Sequence, residues 1–110
     1  MIHDRIAKIE DALRSAQSIS EQKRDELLKL LGDLKAEVAP LAETHGQRAD
    51  DIAQYTDAAV QDAMRSERQP EVTAEALKGL ASSVRDFEAS HPRLVQIVDR
   101  IALTLSNMGI

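Results

Sequence analysis

Glu88 and His91 have the spacing in this chain that is most typical of metal ligands. A Glu and a His three residues apart share one face of a helix, and carboxylate-bridged di-iron helical bundles use such pairs as ligands. One chain supplies one pair, so a homodimer would supply the two that such a centre needs. Pro92 follows directly and would distort the helix that must hold the ligands. We therefore interpret Glu88 and His91 as structural, and keep a metal site across a dimer as the alternative.

The other residues that could do chemistry are scattered along the sequence. The three histidines, the serines and the four isolated glycines form no catalytic triad, nucleophile elbow or phosphate-binding loop, and the chain has no cysteine. The sequence therefore predicts a protein that is not an enzyme and that uses no cofactor.

Composition narrows the class of protein further. The 110 residues are 43% hydrophobic and 30% charged, with 2% aromatic residues and a net charge of -5. This composition favours long helices over a β-sandwich or a disulfide scaffold. Acids and bases are spread evenly along the chain and form no basic face, so the sequence does not predict nucleic-acid binding. The charged N-terminal segment and the lack of a long apolar run predict a cytoplasmic protein without a secretory signal or a membrane span.

Two amphipathic helices are predicted in the N-terminal part, over residues 2 to 16 and about 20 to 44. The second carries the strongest core signal, a wide leucine stripe that includes Leu27, Leu31 and Leu34. These leucines recur at helical spacing, so we expect them to face the core.

The ends of this second helix are predicted from capping and breaking residues. Ser18 or Ser20 is expected to cap its first turn, with Glu21 completing a capping box after Ser18. Pro40 is expected to kink the helix or end it early, because proline lacks the backbone donor. Gly46 is the better predicted stop.

The middle of the chain has the weakest pattern. Residues 47 to 68 read as a helix with few large apolar residues, among them Tyr55, so we expect this helix to depend on a partner helix. A break is predicted at 68 to 71. After it, Val72 and Leu77 are predicted to form a hydrophobic staple around Thr73 as the N-cap of the next helix.

A heptad-like stripe runs from Leu77 to Met108, and Pro92 interrupts it. Two arrangements fit: a turn with His91 as cap and Pro92 as the first helical residue, or one long helix kinked at Pro92. The break is the preferred interpretation, because the residue before a proline resists the α conformation. Gly109 is predicted to end the last helix.

The C-terminal third resembles a known family. Phe87-Glu88-x-x-His91-Pro92-x-Leu94, followed by a Ser-Asn-Met-Gly-Ile ending, is similar to short, acidic, all-helical bacterial proteins of unknown function. The resemblance covers residues 77 to 110 well and 20 to 41 more loosely, and one interpretation of 42 to 72 is an insertion. It implies an all-helical architecture and a bacterial origin, and it implies no activity.

Together these patterns predict one all-α domain over 1–110, a hairpin or bundle of four to five amphipathic helices with heptad-like seams. Its parts are an N-terminal hairpin (1–45), the weakly amphipathic helix (46–70) and a C-terminal helical segment (71–110). Because each seam is long and each core thin, we expect a homodimer. The residues expected to build the core or an interface are Leu27, Leu31, Leu34, Val84, Phe87, Leu94, Ile101 and Leu105.

Three functions remain open at this point. The leading one is a non-enzymatic helical interaction or scaffold protein of the bacterial cytoplasm. The second is a metal-binding bundle that uses Glu88 and His91 across a dimer. The third is a small regulator that binds an unknown partner protein through residues 47–68.

Overall fold

Five α-helices form the protein, with no strand in the described ranges. The computed structural model describes residues 2–17, 19–64 and 70–107. The helices are α1 (Ile2–Ser15), α2 (Glu21–Thr44), α3 (Gly46–Ala63), α4 (Pro70–Val84) and α5 (Pro92–Asn107), and a 3₁₀ turn (Arg85–Phe87) follows α4. The predicted all-α class with four to five helices is confirmed.

The first two helices form an antiparallel hairpin. Ser20 caps α2, and its hydroxyl accepts a hydrogen bond from the Lys23 amide at 3.3 Å. The Arg24 guanidinium donates to the Ala16 carbonyl at 2.8 Å, so a cation neutralises the carbonyl end of α1. Ser18, the other predicted cap, lies outside the described residues.

Helix α2 continues through Pro40 and ends at Thr44. The helix matches the predicted span of about 20 to 44, and of the two effects expected of Pro40, a kink or an early stop, the early stop does not occur. Val38 and Leu41, on either side of Pro40, are buried and hold the last turns against the core while the proline itself is exposed. Gly46 was predicted as the stop, but it opens α3, because His45 already ends α2 with a hydrogen bond from its amide to the Leu41 carbonyl at 2.6 Å.

Helix α3 lies in the core, although its sequence pattern is weak. One side is buried against α4, α1 and α2, and most of its members are small: Ala49, Ile52, Ala53, Thr56, Ala59, Val60 and Ala63. Small side chains let helix axes approach closely, so alanines fill a space that leucines would overfill. The partner helix that this segment needs is supplied by the same chain, chiefly by α4.

The start of α4 differs from the prediction. The helix already includes Pro70, so Thr73 lies inside it and is not its N-cap. The Thr73 side chain is buried and donates a hydrogen bond to the Asp62 carboxylate of α3. A buried carboxylate needs a donor, and this need outweighs the capping pattern of the local sequence. Residues 65–69 of the predicted break lie outside the described residues.

Between α4 and α5 the chain breaks instead of running on as a kinked helix. His91 precedes α5, and Pro92 is the first residue of that helix. A backbone N–H at this position would have no acceptor within the helix, so proline loses no hydrogen bond there. This is the preferred one of the two predicted arrangements. Met108, Gly109 and Ile110, which include the predicted helix stop, lie outside the described residues.

The eight residues expected to build the core are all buried, with at most 5% of any of them exposed. Helices α2 and α5 run antiparallel, because Thr104 donates to Glu26 at 3.2 Å and Arg93 lies 3.4 Å from Glu37. The radius of gyration is 12.9 Å, close to the value of about 13 Å expected for one compact domain of this size. None of the described helices is long and apolar enough to cross a membrane.

Candidate functional site

A groove between α3 and α4 is the best candidate for a functional site. The two helices run antiparallel, since Arg48 pairs with Asp86, Tyr55 lies over Gly79, and Thr73 bonds to Asp62. The groove has a volume of about 400 Å³ and is lined by Arg48, Asp51, Tyr55, Glu75, Lys78, Gly79, Ser82 and Ser83.

Tyr55 lines this groove, and its ring lies against the backbone of Gly79. A Cβ atom added to Gly79 would come within 2.7 Å of Tyr55 Cζ, so the ring fits only because residue 79 has no side chain. The ring is nevertheless 39% exposed. The ring therefore lies against the backbone of α4 on one side and is open to solvent on the other.

Val72 lies on the same face of α4 as Gly79 but outside the lining of the groove. It lies two helical turns before Gly79 and is 40% exposed. Among the described residues, the large hydrophobic side chains that are exposed are Tyr55, Val72 and Leu103. Two of the three therefore belong to the α3–α4 pair, and Leu103 lies on α5.

The charged groups of the groove fall into two sets. Arg48 is neutralised, because its guanidinium lies 2.5 Å from the Asp86 carboxylate. In the described part of the chain, no ion pair involves Asp51, Glu75 or Lys78. Asp51 accepts a hydrogen bond only from the Gln47 side-chain amide, at 3.1 Å. Two carboxylates thus line the groove without a cationic partner. We call Tyr55, Gly79, Val72, Asp51 and Glu75 together the Tyr55 surface.

Glu88 and His91 do not share a helical face. They lie between the 3₁₀ turn and α5, where the chain is not α-helical, and Glu88 is exposed. The His91 Nδ1 lies 2.9 Å from the Ser90 hydroxyl. No group of three His, Asp or Glu side chains within the described ranges is placed to hold a metal ion. Glu88 and His91 are therefore not placed as a pair of ligands on one face of a helix.

His91 instead joins an aromatic contact at one end of the bundle. Phe87 makes edge-to-face contacts with His45 and with His91, with ring centroids 5.3 Å and 5.6 Å apart. Such contacts stabilise by about 0.5–1.5 kcal/mol each. They tie the α2–α3 junction to the α4–α5 junction, a role that sequence reasoning missed because His45 is distant from Phe87 in the chain.

Sequence reasoning also missed the Tyr55 surface. It grouped Tyr55 with the apolar residues of the helix, although Ile52 and Val60 are buried and Tyr55 is not. The available signal was the position of Tyr55 at the margin of the stripe formed by Ile52, Thr56 and Ala59. Nothing in the sequence indicates that Gly79 of α4 lies opposite Tyr55.

Comparison with known proteins places the C-terminal half of this architecture in a family. No curated protein and no solved structure matches the chain. Residues 54–110, which include the end of α3 and all of α4 and α5, match a family model described as a domain of unknown function (DUF4404). The match begins within α3, so Tyr55 and Gly79 both fall inside it. Because it covers more than half of the chain, the protein belongs to the DUF4404 family.

Proposed function

We propose that this protein is a non-enzymatic helical interaction protein of the bacterial cytoplasm, which contacts a partner protein through the Tyr55 surface. The observation that carries the proposal is the exposed ring of Tyr55, which lies against the backbone of α4 at Gly79. Tyrosine is enriched among the residues that dominate protein–protein binding energy, and its side chain has only two torsion angles to order on binding.

The arrangement of exposed apolar groups supports this surface over others. Tyr55 and Val72 share the α3–α4 side, while Leu103 is isolated on α5. Single exposed leucines are ordinary, whereas an exposed tyrosine in a groove lined by polar residues is typical of interaction sites. The buried side of α3 is occupied by the protein's own core, so only its outer side is offered to a partner.

The experiment is affinity capture from cells that make the protein, with wild-type, Tyr55→Ala and Leu103→Ala baits compared by quantitative mass spectrometry. Both substitutions truncate an exposed side chain, so circular dichroism is expected to show the same helicity for all three. We expect a partner that wild type and Leu103→Ala retain and that Tyr55→Ala loses. A wild-type bait that retains nothing above background, or a partner that Tyr55→Ala retains equally, would contradict the proposal.

A further inference from the structure

We infer that the buried hydrogen bond between Asp62 and Thr73 selects the register in which α3 packs against α4. Among the described elements, α3 and α4 share the most extensive contact. Their register decides which residues meet in the groove between them, whatever molecule the groove binds. The inference is therefore independent of the proposed function.

Three contacts between α3 and the segment that begins with α4 belong to one antiparallel register. They join Arg48 to Asp86, Tyr55 to Gly79, and Asp62 to Thr73. The contacts recur every seven residues along α3, and every six or seven residues along α4 and the 3₁₀ turn that follows it. Seven residues are about two helical turns, so the three contacts lie along one line between the helices.

The small apolar side chains of α3 distinguish poorly between this register and one that is shifted by a helical turn. Buried alanines occur four residues apart at two places, Ala49 with Ala53 and Ala59 with Ala63. A shift of α3 by one turn would put an alanine where another alanine now lies. Because side chains of equal size fill the same space, these positions give little penalty against the shift.

The hydrogen bond between Asp62 and Thr73 does give such a penalty. Both residues are at most 3% exposed, and the threonine hydroxyl donates to the carboxylate. One turn further along α4 lie Ala76 and Leu77, whose side chains have no donor. A shift in that direction would leave the carboxylate buried without the hydroxyl, which is costly. Buried polar contacts fix the register of helices in the same way in coiled coils.

The other two contacts discriminate less between registers. The side chains of Arg48 and Asp86 are both largely exposed, and exposed ion pairs stabilise little. The ring of Tyr55 borders solvent, so it can turn outward when the residue beneath it is larger than glycine. Of the three contacts, the buried one is therefore the contact that selects the register.

The test is NMR spectroscopy of the full-length protein and of two variants, Thr73→Val and Asp62→Ala with Thr73→Val. For wild type we expect one set of amide resonances and a nuclear Overhauser contact between the Tyr55 ring and the Gly79 α-protons. In both variants no register offers the hydroxyl, so the native register loses its advantage. We expect at least about tenfold more of a second register, seen as a second set of α3 and α4 amide resonances that lacks this contact.

Two controls separate register from the mere loss of a hydrogen bond. Thr73→Ser keeps the donor and is expected to show one set of resonances. Glu26→Ala with Thr104→Val removes another bond from a threonine hydroxyl to a carboxylate, this one between α2 and α5. The Glu26 side chain is half-exposed, so water solvates its carboxylate in any register, and we expect one set of resonances there too.

A single set of resonances with the Tyr55–Gly79 contact retained, in both Thr73→Val and the double variant, would overturn the inference. A second set of equal size in Thr73→Ser or in the control pair would also overturn it, because the effect would then not depend on the buried donor. Circular dichroism shows whether the variants fold. Loss of helicity in both would mean that the fold itself requires the bond, and the claim that the bond selects between registers would be wrong.

Discussion

Tyr55 owes its position to the absence of a side chain at Gly79. The ring lies against the backbone of α4, where even a methyl group would overlap it. The protein has one tyrosine and no tryptophan, so its intrinsic fluorescence reports on this single ring. A change in the packing of one residue pair is therefore directly measurable.

Gly79→Ala is expected to push the Tyr55 ring outward and to increase the quenching of tyrosine fluorescence by acrylamide. Its effect on stability combines a gain of about 1 kcal/mol in helix propensity with a loss of ring packing, so the net change is small. Gly32→Ala is the matched control, because nothing lies within 4 Å of its added Cβ. It is expected to stabilise by about 1 kcal/mol with unchanged quenching. Equal quenching in both variants would contradict this account of the ring.

Thr73 shows where residue patterns mislead. Its neighbours Val72 and Leu77 have the spacing of a hydrophobic staple, yet Thr73 is buried and bonded to Asp62. The staple rule uses only local sequence, whereas the hydrogen bond joins two helices. A buried carboxylate costs more than an uncapped helix end, so the long-range contact decides the conformation.

At the scale of elements, Pro40 and Pro92 have opposite roles. Pro92 opens α5, where its fixed φ angle suits the first turn. Pro40 lies inside α2, where it removes a helical hydrogen bond. The helix tolerates this loss because its last turns are held by buried Val38 and Leu41.

Pro40→Ala is expected to stabilise the protein by about 1–3 kcal/mol, since it restores the missing backbone bond without touching the core. Pro92→Ala is expected to destabilise it by about 0.5–1 kcal/mol, because the unfolded chain gains freedom. Urea unfolding followed by circular dichroism measures both. A Pro40→Ala variant that is less stable than wild type would show that α2 needs the proline.

The ion pair between Lys35 and Glu10 fixes α1 on α2. The lysine Nζ lies 2.7 Å from the Glu10 carboxylate, and Glu10 is 6% exposed. Lys35→Met leaves this carboxylate buried without its cation, so we expect a loss of about 1–3 kcal/mol. The control is Lys23→Met, whose pair with Glu26 is 3.9 Å long and whose partner carboxylate is 48% exposed, and we expect it to cost less than about 1 kcal/mol.

Urea unfolding also decides this comparison. The double variant Glu10→Leu with Lys35→Met removes both charges and is expected to recover most of the loss. Equal losses for Lys35→Met and Lys23→Met would mean that the buried pair does not stabilise the hairpin.

At the scale of the whole molecule, the leucine-rich helices were predictable and the middle helix was less so. Leu27, Leu31 and Leu34 form a stripe that determines both helix type and buried side. In α3 the core side consists mostly of alanines, which are also common on exposed helix surfaces, so the pattern could not show which side faces inward. The Tyr55 surface depends on which side of α3 faces the core and on the register of α3 against α4. Neither property can be predicted from the local sequence.

The homodimer stays a prediction, but the heptad-like seams are not available as its interface. The heptad-like seams that were expected to need a second chain are buried within one chain. Any self-association would therefore use an outer surface.

Helix α3 is a core helix of the free protein, and only its outer side is available to a partner. Hydrogen–deuterium exchange of the free protein tests it most directly, since buried helices exchange through large unfolding events and segments that order on binding exchange quickly. We predict that amides of residues 49–63 exchange as slowly as those of residues 27–41 in the absence of any partner. Rapid exchange across 49–63 beside a protected α2 would contradict the claim.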